Sequence, residues 1–409
     1  MKPLSFATVG CGGRGSWLTR AVLAHLPGVT VTAVCDSYPD RTAALADKLS
    51  EKGFPRPASY ADYHRLIDEA HPDAVLVSTS WEAHAEVALY AMERGVAVAM
   101  EVGGAYSEGE CRRLVETGER TGTPFMFMEN CCFNKDELLA TSLTRNGVFG
   151  EVVYCHGAYA HDLRDEISGG DLRRHYRLRN YSTRNCDNYP THDLGPIARL
   201  LNINRGNRMV SLTARASRAA GLKTYIAERP ELSYLSTRGF AQGDIVETLI
   251  TCEGGELISL KLDTTLPRFY SREFTVRGTK GLYMQDNNMV YRDGDKEFFD
   301  TVEGMKYFCN NAKDYDRYLP DIWRDTDEET LSRGHGGMDW FEFVAFADAL
   351  REGRPMPIDV YDAAAWMSIT YLTERSIAMG GAPVEIPDFT NGKYRDRKPC
   401  DVVSLPVIF

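Results

Sequence analysis

The sequence predicts a two-part α/β chain: a doubly wound parallel sheet first, then an α+β part built on an open, largely antiparallel sheet. Three observations predict it. Apolar runs alternate with helix-compatible stretches through the first third. A glycine-rich turn follows the first run directly, and after Asn130 the pattern changes to short alternating strands.

The first apolar run, Leu4 to Val9, enters Gly10-Cys11-Gly12-Gly13-Arg14-Gly15. Ser16 to Leu26 is helix-compatible, and a second apolar run, Val29 to Cys35, ends on Asp36. That is the strand–turn–helix–strand form of a Rossmann dinucleotide-binding unit. The first glycine permits the tight turn, the second admits the pyrophosphate to the backbone, and the third lets helix and strand pack closely. Gly13 belongs to the same cradle. Asp36, at the end of the second run, would accept from the adenosine ribose hydroxyls and repel a 2′-phosphate, so the expected cofactor is NAD rather than NADP. Arg14 has two readings, a reach to the pyrophosphate or a solvated surface arginine.

The alternation continues with strands at Ala74 to Thr79, Val96 to Met100 and Phe125 to Met128. Helices lie between them at Glu82 to Arg94 and Glu108 to Thr121. Ligands of such sheets lie beyond the carboxyl ends of the strands. Trp81 and His84, Glu101 and Val102, and Asn130 each follow a strand there, so they are expected along the cofactor. The boundary is placed at 130, giving a Rossmann domain over 1–130 and a substrate-binding and oligomerisation domain over 131–409.

In the second part, Glu151 to Ala160, Met209 to Ala216, Gly243 to Cys252, Glu256 to Thr264 and Glu273 to Gly278 show strand patterns, with a hairpin turn at Gly254-Gly255. Asp325 to Gly337 is polar and glycine-rich, a loop pattern, and Asp359 to Met379 is one long helix. A polar, aromatic-rich stretch from Tyr159 and His161 through Arg177 to Tyr189-Pro190-Thr191-His192-Asp193 is unlike a core. Pro190 is welcome only near a helix start, which puts His192 in a first turn. There a neutral imidazole serves as base or hydrogen-bond partner, or simply as a capping or packing group.

Composition narrows the function. The chain has 409 residues, 43% of them hydrophobic, and a formal net charge of -11 with no basic tract, which argues against nucleic acid as a partner. No stretch approaches the ~20 apolar residues of a membrane span. Met1 to Gly10 run straight into the first strand, so no secretory signal and a cytoplasmic location are expected. The 10 cysteines are scattered and Cys131-Cys132 are adjacent, which suits reduced thiols rather than a zinc cage or disulfide frame. The histidines lack metal-site spacing, so no metal is expected.

These residues resemble the glucose–fructose oxidoreductase superfamily (Gfo/Idh/MocA), and within it the NAD-dependent glycosidases of glycoside hydrolase family 109. The resemblance is carried by Glu129-Asn130-Cys131-Cys132-Phe133, Tyr159-Ala160-His161-Asp162-Leu163-Arg164, Tyr189-Pro190-Thr191-His192 and Pro267-Arg268-Phe269-Tyr270-Ser271-Arg272. Gly334-His335-Gly336-Gly337-Met338-Asp339 and Asp359-Val360-Tyr361-Asp362 extend it over almost the whole chain. The family is best known for removing α-linked N-acetylgalactosamine. Two absences agree with that branch. Dehydrogenases of the superfamily carry Glu-Lys-Pro where this chain has Glu101-Val102-Gly103, and an aspartate where it has Asn188. Departures from the branch include Asp193 in place of a glycine.

The resemblance implies transient oxidation at C3 of a terminal sugar, removal of the C2 proton, elimination at C1, water addition and return of the hydride. No carboxylate pair at the usual glycosidase spacing is needed. It implies His192 at the C3 hydroxyl, Tyr159 as proton carrier at C2 and Tyr189 beside them. Arg177, Tyr270 and His335 are implied contacts to sugar hydroxyls or an acetamido group. A homo-oligomer is implied as well. The competing readings are a plain NAD-dependent sugar or polyol dehydrogenase and a non-catalytic NAD- or sugar-binding sensor.

Overall fold

The computed structural model describes residues 2–295 and 302–408. The chain divides into two units.

The first unit comprises residues up to Asn134 together with Asp325–Ala364. Its strands are β1 (Leu4–Val9), β2 (Val29–Cys35), β3 (Ala58–Tyr60), β4 (Ala74–Val77), β5 (Ala97–Glu101) and β6 (Phe125–Met128). They form one sheet in the order β3-β2-β1-β4-β5-β6 with every pairing parallel. Helices α1 (Gly13–Ala21), α2 (Pro39–Glu51), α3 (Tyr63–Ala70), α4 (Trp81–Glu93) and α5 (Glu108–Thr121) supply the crossovers. Strands β4, β5 and β6 are buried throughout, which is why they read as unbroken apolar runs. Helix α5 starts where expected because Ser107 Oγ accepts from the Glu110 N–H at 3.2 Å while the Glu110 carboxylate accepts from the Tyr106 N–H at 2.7 Å. It stops at Gly122, whose φ of 65° few other residues adopt readily. Helix α1 begins at Gly13, three residues before the expected start, because the glycine turn passes directly into it; a 3₁₀ turn, Leu23–His25, replaces its expected end.

Residues 325–364, which the sequence reading leaves in the second domain, belong to this first unit. Their main helix, Met338–Glu352, buries Phe343 and Phe346 completely, and Phe346 meets the Phe6 ring of β1 edge-on at 5.8 Å. The Ile358 carbonyl accepts from the Phe127 N–H of β6 at 3.0 Å. Burial of two phenylalanines, about 1.5–3 kcal/mol each, is the term that brings this segment back to the sheet. The expected loop within it is partly helical: Asp327 caps a turn at Glu328–Ser332 by accepting from Thr330 N–H at 2.7 Å.

The second unit is built on β7 (Val152–Ala160), β8 (Met209–Ala216), β9 (Ile245–Cys252), β10 (Leu257–Asp263), β11 (Thr275–Gly278), β12 (Gly281–Met284), β13 (Met289–Arg292) and β14 (Val384–Glu385). The sheet runs β13-β12-β11-β7-β10-β9-β8-β14, and only β7 and β10 pair in parallel. The helix Thr191–Leu200 lies tight against β7: a Cβ added at Gly157 would come within 2.8 Å of the Asp193 Cβ. That close approach carries His192 to the same strand as Tyr159. Among the described residues the cysteines are free, eight of the ten are buried, and no helix is long and apolar enough to cross a membrane.

Candidate active site

In the first unit the glycine turn has the shape of a phosphate cradle. Gly10 has φ 97° and sits so close to β4 that a Cβ would lie 2.4 Å from the Ser78 carbonyl oxygen. A Cβ on Gly15 would lie 1.9 Å from the Gly10 oxygen, so helix and turn touch backbone to backbone. By contrast a Cβ on Gly13 would meet nothing within 4 Å. The turn is therefore packed tightly on its inner side and open at the first N–H groups of α1, where a pyrophosphate would bind. Asp36 is buried at the end of β2; it accepts from Cys11 N–H at 2.8 Å and Tyr38 N–H at 2.9 Å, which fixes its carboxylate beside the turn. These residues fit an NAD-type cofactor.

Arg14 is not a solvated surface arginine. Two nitrogens bond the Asp339 carboxylate, Nη1 to Oδ2 and Nη2 to Oδ1, both at 2.9 Å, and Nε donates to Glu101 Oε1 at 3.1 Å. Asn130 Nδ2 donates to Asp339 Oδ1 at 2.7 Å, and His335 Nδ1 lies 2.9 Å from Asp339 Oδ2. Burial alone would raise the Asp339 pKa, but Arg14 and His335 hold it well below the usual carboxylate range. Glu342 is the converse. It is fully buried beside Glu101 and Asp339, and among the described residues neither oxygen has a hydrogen-bond partner. Burial and then those charges push its pKa far up.

The remaining cofactor candidates fall at strand ends in this unit. Trp81 opens α4 with its indole against Gly103, where a Cβ would meet Cδ1 at 2.6 Å. His84 is buried, with Nδ1 2.8 Å from the Ser80 carbonyl and 2.9 Å from Thr79 Oγ1; burial lowers its pKa to about 4, so it is neutral. Val102 is buried beyond β5.

The second unit gathers the other group. The Tyr159 and Tyr189 rings lie 4.6 Å apart, and the His192 ring is 5.4 Å from the first and 4.8 Å from the second. The Arg177 guanidinium lies over the Tyr189 ring at 4.9 Å and is buried. Tyr270 joins through its ring, 6.5 Å from Tyr159, and its hydroxyl accepts from Arg272 Nη1 at 3.1 Å. Thus five of the predicted residues, Tyr159, Arg177, Tyr189, His192 and Tyr270, form one cluster. His335 is placed in the first unit, on Asp339.

A sixth member, His161, was not singled out as a site residue. Its Nδ1 is 3.2 Å from the Tyr159 hydroxyl and its ring is 5.1 Å from that of Tyr270. The spacing was visible: residues i and i+2 at a strand end share a face. Burial and then Arg177 lower the His161 pKa, which keeps a neutral ring beside the phenol. Burial raises the Tyr159 pKa while Arg177 opposes the rise. Asn188, which stands where dehydrogenases carry an aspartate, is buried with Oδ1 accepting from Tyr181 Oη at 3.4 Å and Nδ2 donating to Gln242 Oε1 at 3.1 Å. The titratable groups of this cluster are therefore phenols, imidazoles and the Arg177 guanidinium.

An NAD-type Rossmann unit, joined in one chain to an α+β unit with a tyrosine–histidine cluster, defines a protein of NAD-dependent oxidoreductase fold. Residues 4–128 match the oxidoreductase family NAD-binding Rossmann fold, and residues 133–396 match the glycosyl hydrolase 109 C-terminal domain. The chain is 38% identical over 423 residues to a glycosyl hydrolase family 109 protein of Stenotrophomonas maltophilia, covering 97% of this chain and 91% of that one. It is 36% identical to an alpha-N-acetylgalactosaminidase of Tannerella forsythia, covering 97% and 88%. An oxidoreductase from Agrobacterium radiobacter, solved with NAD+, L-tartaric acid and magnesium, shares the fold at TM-score 0.64 and 17% identity over 94% of this chain and 99% of that one. The protein belongs to glycoside hydrolase family 109, and is a glycoside hydrolase built on a Gfo/Idh/MocA scaffold.

Proposed function

We propose that this protein hydrolyses terminal N-acetylhexosaminides, α-N-acetylgalactosaminides above all, with a tightly held NAD that is regenerated in each turnover. Bound NAD supplies a hydride acceptor, and later a donor, for C3 of the sugar. Gly10, Gly12, Gly13 and Gly15 hold its pyrophosphate and Asp36 its adenosine ribose, with Trp81, His84, Glu101, Val102 and Asn130 along its length.

His192 accepts the proton of the C3 hydroxyl as that carbon becomes a carbonyl, and returns it at the end. The C3 carbonyl acidifies C2. Tyr159 then takes the C2 proton on its oxygen and passes its own proton to His161 Nδ1, so no net charge is left on the phenol. The C2 electron pair forms a C1–C2 double bond, the C1–O bond breaks, and the leaving oxygen departs with the proton that the Tyr159–His161 pair had gained. Water adds at C1, its proton passing to Tyr159 as Tyr159 returns one to C2. Arg177, Tyr189 and Tyr270 orient the ring, and His335 contacts a sugar hydroxyl or acetamido group. The sum is hydrolysis with no net oxidation.

One observation carries this reading: a buried tyrosine hydroxyl in contact with a histidine that burial keeps neutral. That pairing suits abstraction of a proton from carbon, and a carboxylate pair at glycosidase spacing is not required. The test is release of p-nitrophenol from α- and β-linked p-nitrophenyl glycosides, N-acetylhexosaminides included, with absorbance followed at 340 nm. Release without net NADH is expected. NADH accumulating with no glycoside cleaved would replace this reading with a plain dehydrogenase.

A further inference from the structure

Between Asp162 and Arg177 the chain carries four acids, Asp162, Asp165, Glu166 and Asp171, and several arginines, and the structure sorts the first three. Asp162 pairs with Arg164 at 2.6 Å, and Asp165 with Arg173 at 2.7 Å; both pairs stay in their own stretch of chain. Glu166 turns the other way. Its Oε1 lies 2.6 Å from Arg177 Nε and 3.6 Å from His175 Nε2. The Glu166 side chain is 41% exposed, whereas that of Arg177 is 9% exposed and holds its guanidinium over the Tyr189 ring. A guanidinium drawn that far out of water needs a counter-charge to keep its place.

We propose that Glu166 is a positioning residue for the reaction: it anchors Arg177 where that cation steadies the charge that builds transiently on the Tyr159 oxygen, between loss of its own proton to His161 and arrival of the C2 proton. The inference rests on Tyr159 being the proton carrier of the proposed function. The charged and titratable groups around Arg177 include Glu166, His175, Tyr176, Tyr159, Tyr189, His161 and Tyr181. Tyr159 in turn faces His161, His192, Tyr181 and Tyr270 as well as Arg177. Of these groups, Arg177 is the permanent cation and Glu166 the carboxylate, so Glu166 sets how much of the cation's field reaches the phenol. Its negative charge raises the Tyr159 pKa, opposing Arg177, and its oxygen fixes where Arg177 sits.

Those two effects separate in two substitutions. Glu166→Ala removes anchor and charge; Arg177 loses its place, and kcat falls about tenfold or more while KM moves little. The rising limb of the kcat/KM pH profile then shifts to higher pH. Glu166→Gln keeps an oxygen against the Arg177 guanidinium and removes only the charge, so most of kcat returns and the same limb shifts to lower pH. A merely structural role would lower Tm and leave both limb and kcat alone.

The experiment measures both pH profiles on a cleaved p-nitrophenyl glycoside. It also follows the Arg177 Nε–H by ¹⁵N NMR, assigned through its loss in Arg177→Lys. Expected is a slowly exchanging Nε–H in the parent and in Glu166→Gln, lost in Glu166→Ala, together with the opposed limb shifts. A folded Glu166→Ala protein with parental kcat and limb, or with an undisturbed Nε–H, overturns the proposal. A parent that cleaves no glycoside, yet keeps the protected Nε–H, overturns the proposed reaction and leaves the anchor standing.

Discussion

The Tyr159 hydroxyl lies 3.2 Å from Nδ1 of His161. That contact gives a buried phenol somewhere to send its proton, which is what a tyrosine needs before it can act as a base near neutral pH.

Tyr159→Phe should lower kcat by about 10²–10⁴-fold with little change in KM. His161→Ala should lower it in the same direction. Because the two act as one relay, the double variant should lose little more than Tyr159→Phe alone. Initial rates for the two singles and the double check this; additive losses would mean that the groups work independently.

Tyr270 is held through a buried ion pair. Arg272 Nε donates to Glu137 Oε1 at 2.5 Å, both side chains being nearly inaccessible to solvent, and Arg272 Nη1 donates to the Tyr270 hydroxyl. Glu137→Ala strands the guanidinium and should cost about 3–5 kcal/mol of stability. Replacing both partners by apolar residues should recover most of it. Urea denaturation of the single and double variants measures the difference.

Asp187 should make the protein less stable as pH rises. It is buried, accepts from the Tyr189 N–H at 3.4 Å, and has no partner on Oδ2; burial pushes its pKa up to about 7. An acid whose folded pKa is raised contributes stability that is complete below its unfolded value, near 4, and lost as pH rises toward 7. Each pH unit in that window is worth up to about 1.4 kcal/mol. Asp187→Asn keeps the oxygen for Tyr189 and removes the charge, so its Tm should gain on the parent at pH 8 and not at pH 4. Thermal unfolding at the two pH values tests the sign.

Asp339 should do the opposite. Arg14 and His335 hold its pKa low despite burial, so its contribution is complete above pH 4 and lost as pH falls through the acid range. Asp339→Asn should cost about 1–3 kcal/mol at pH 7 and flatten the acid side of the stability profile. Denaturation midpoints from pH 3 to 7 measure it; a variant with the parental acid limb would remove Asp339 from the account.

The parts of the fold legible in the sequence are those set by local periodicity. Strands β4 and β6 are apolar without interruption because both faces are buried, and the Gly10 turn announces itself by residue type. What escaped depends on contacts distant in sequence. Residues 325–364 join the first unit through Phe346 against Phe6, which no window of sequence contains. The β12–β13 hairpin lies outside the strands that the sequence predicts. In the site, Tyr159, Tyr189 and His192 were found by chemistry and spacing, whereas Asp339 was not: its role comes from Arg14, more than three hundred residues earlier. The i, i+4 step from His335 to Asp339 was the one local signal available.

The most direct test of the central claim is hydrolysis of an α-N-acetylgalactosaminide in D₂O, with the released sugar analysed by NMR. A Tyr159–His161 relay that removes and restores the C2 proton predicts deuterium at C2 and unexchanged hydrogen at C3. Hydrolysis that leaves C2 fully protonated would contradict it.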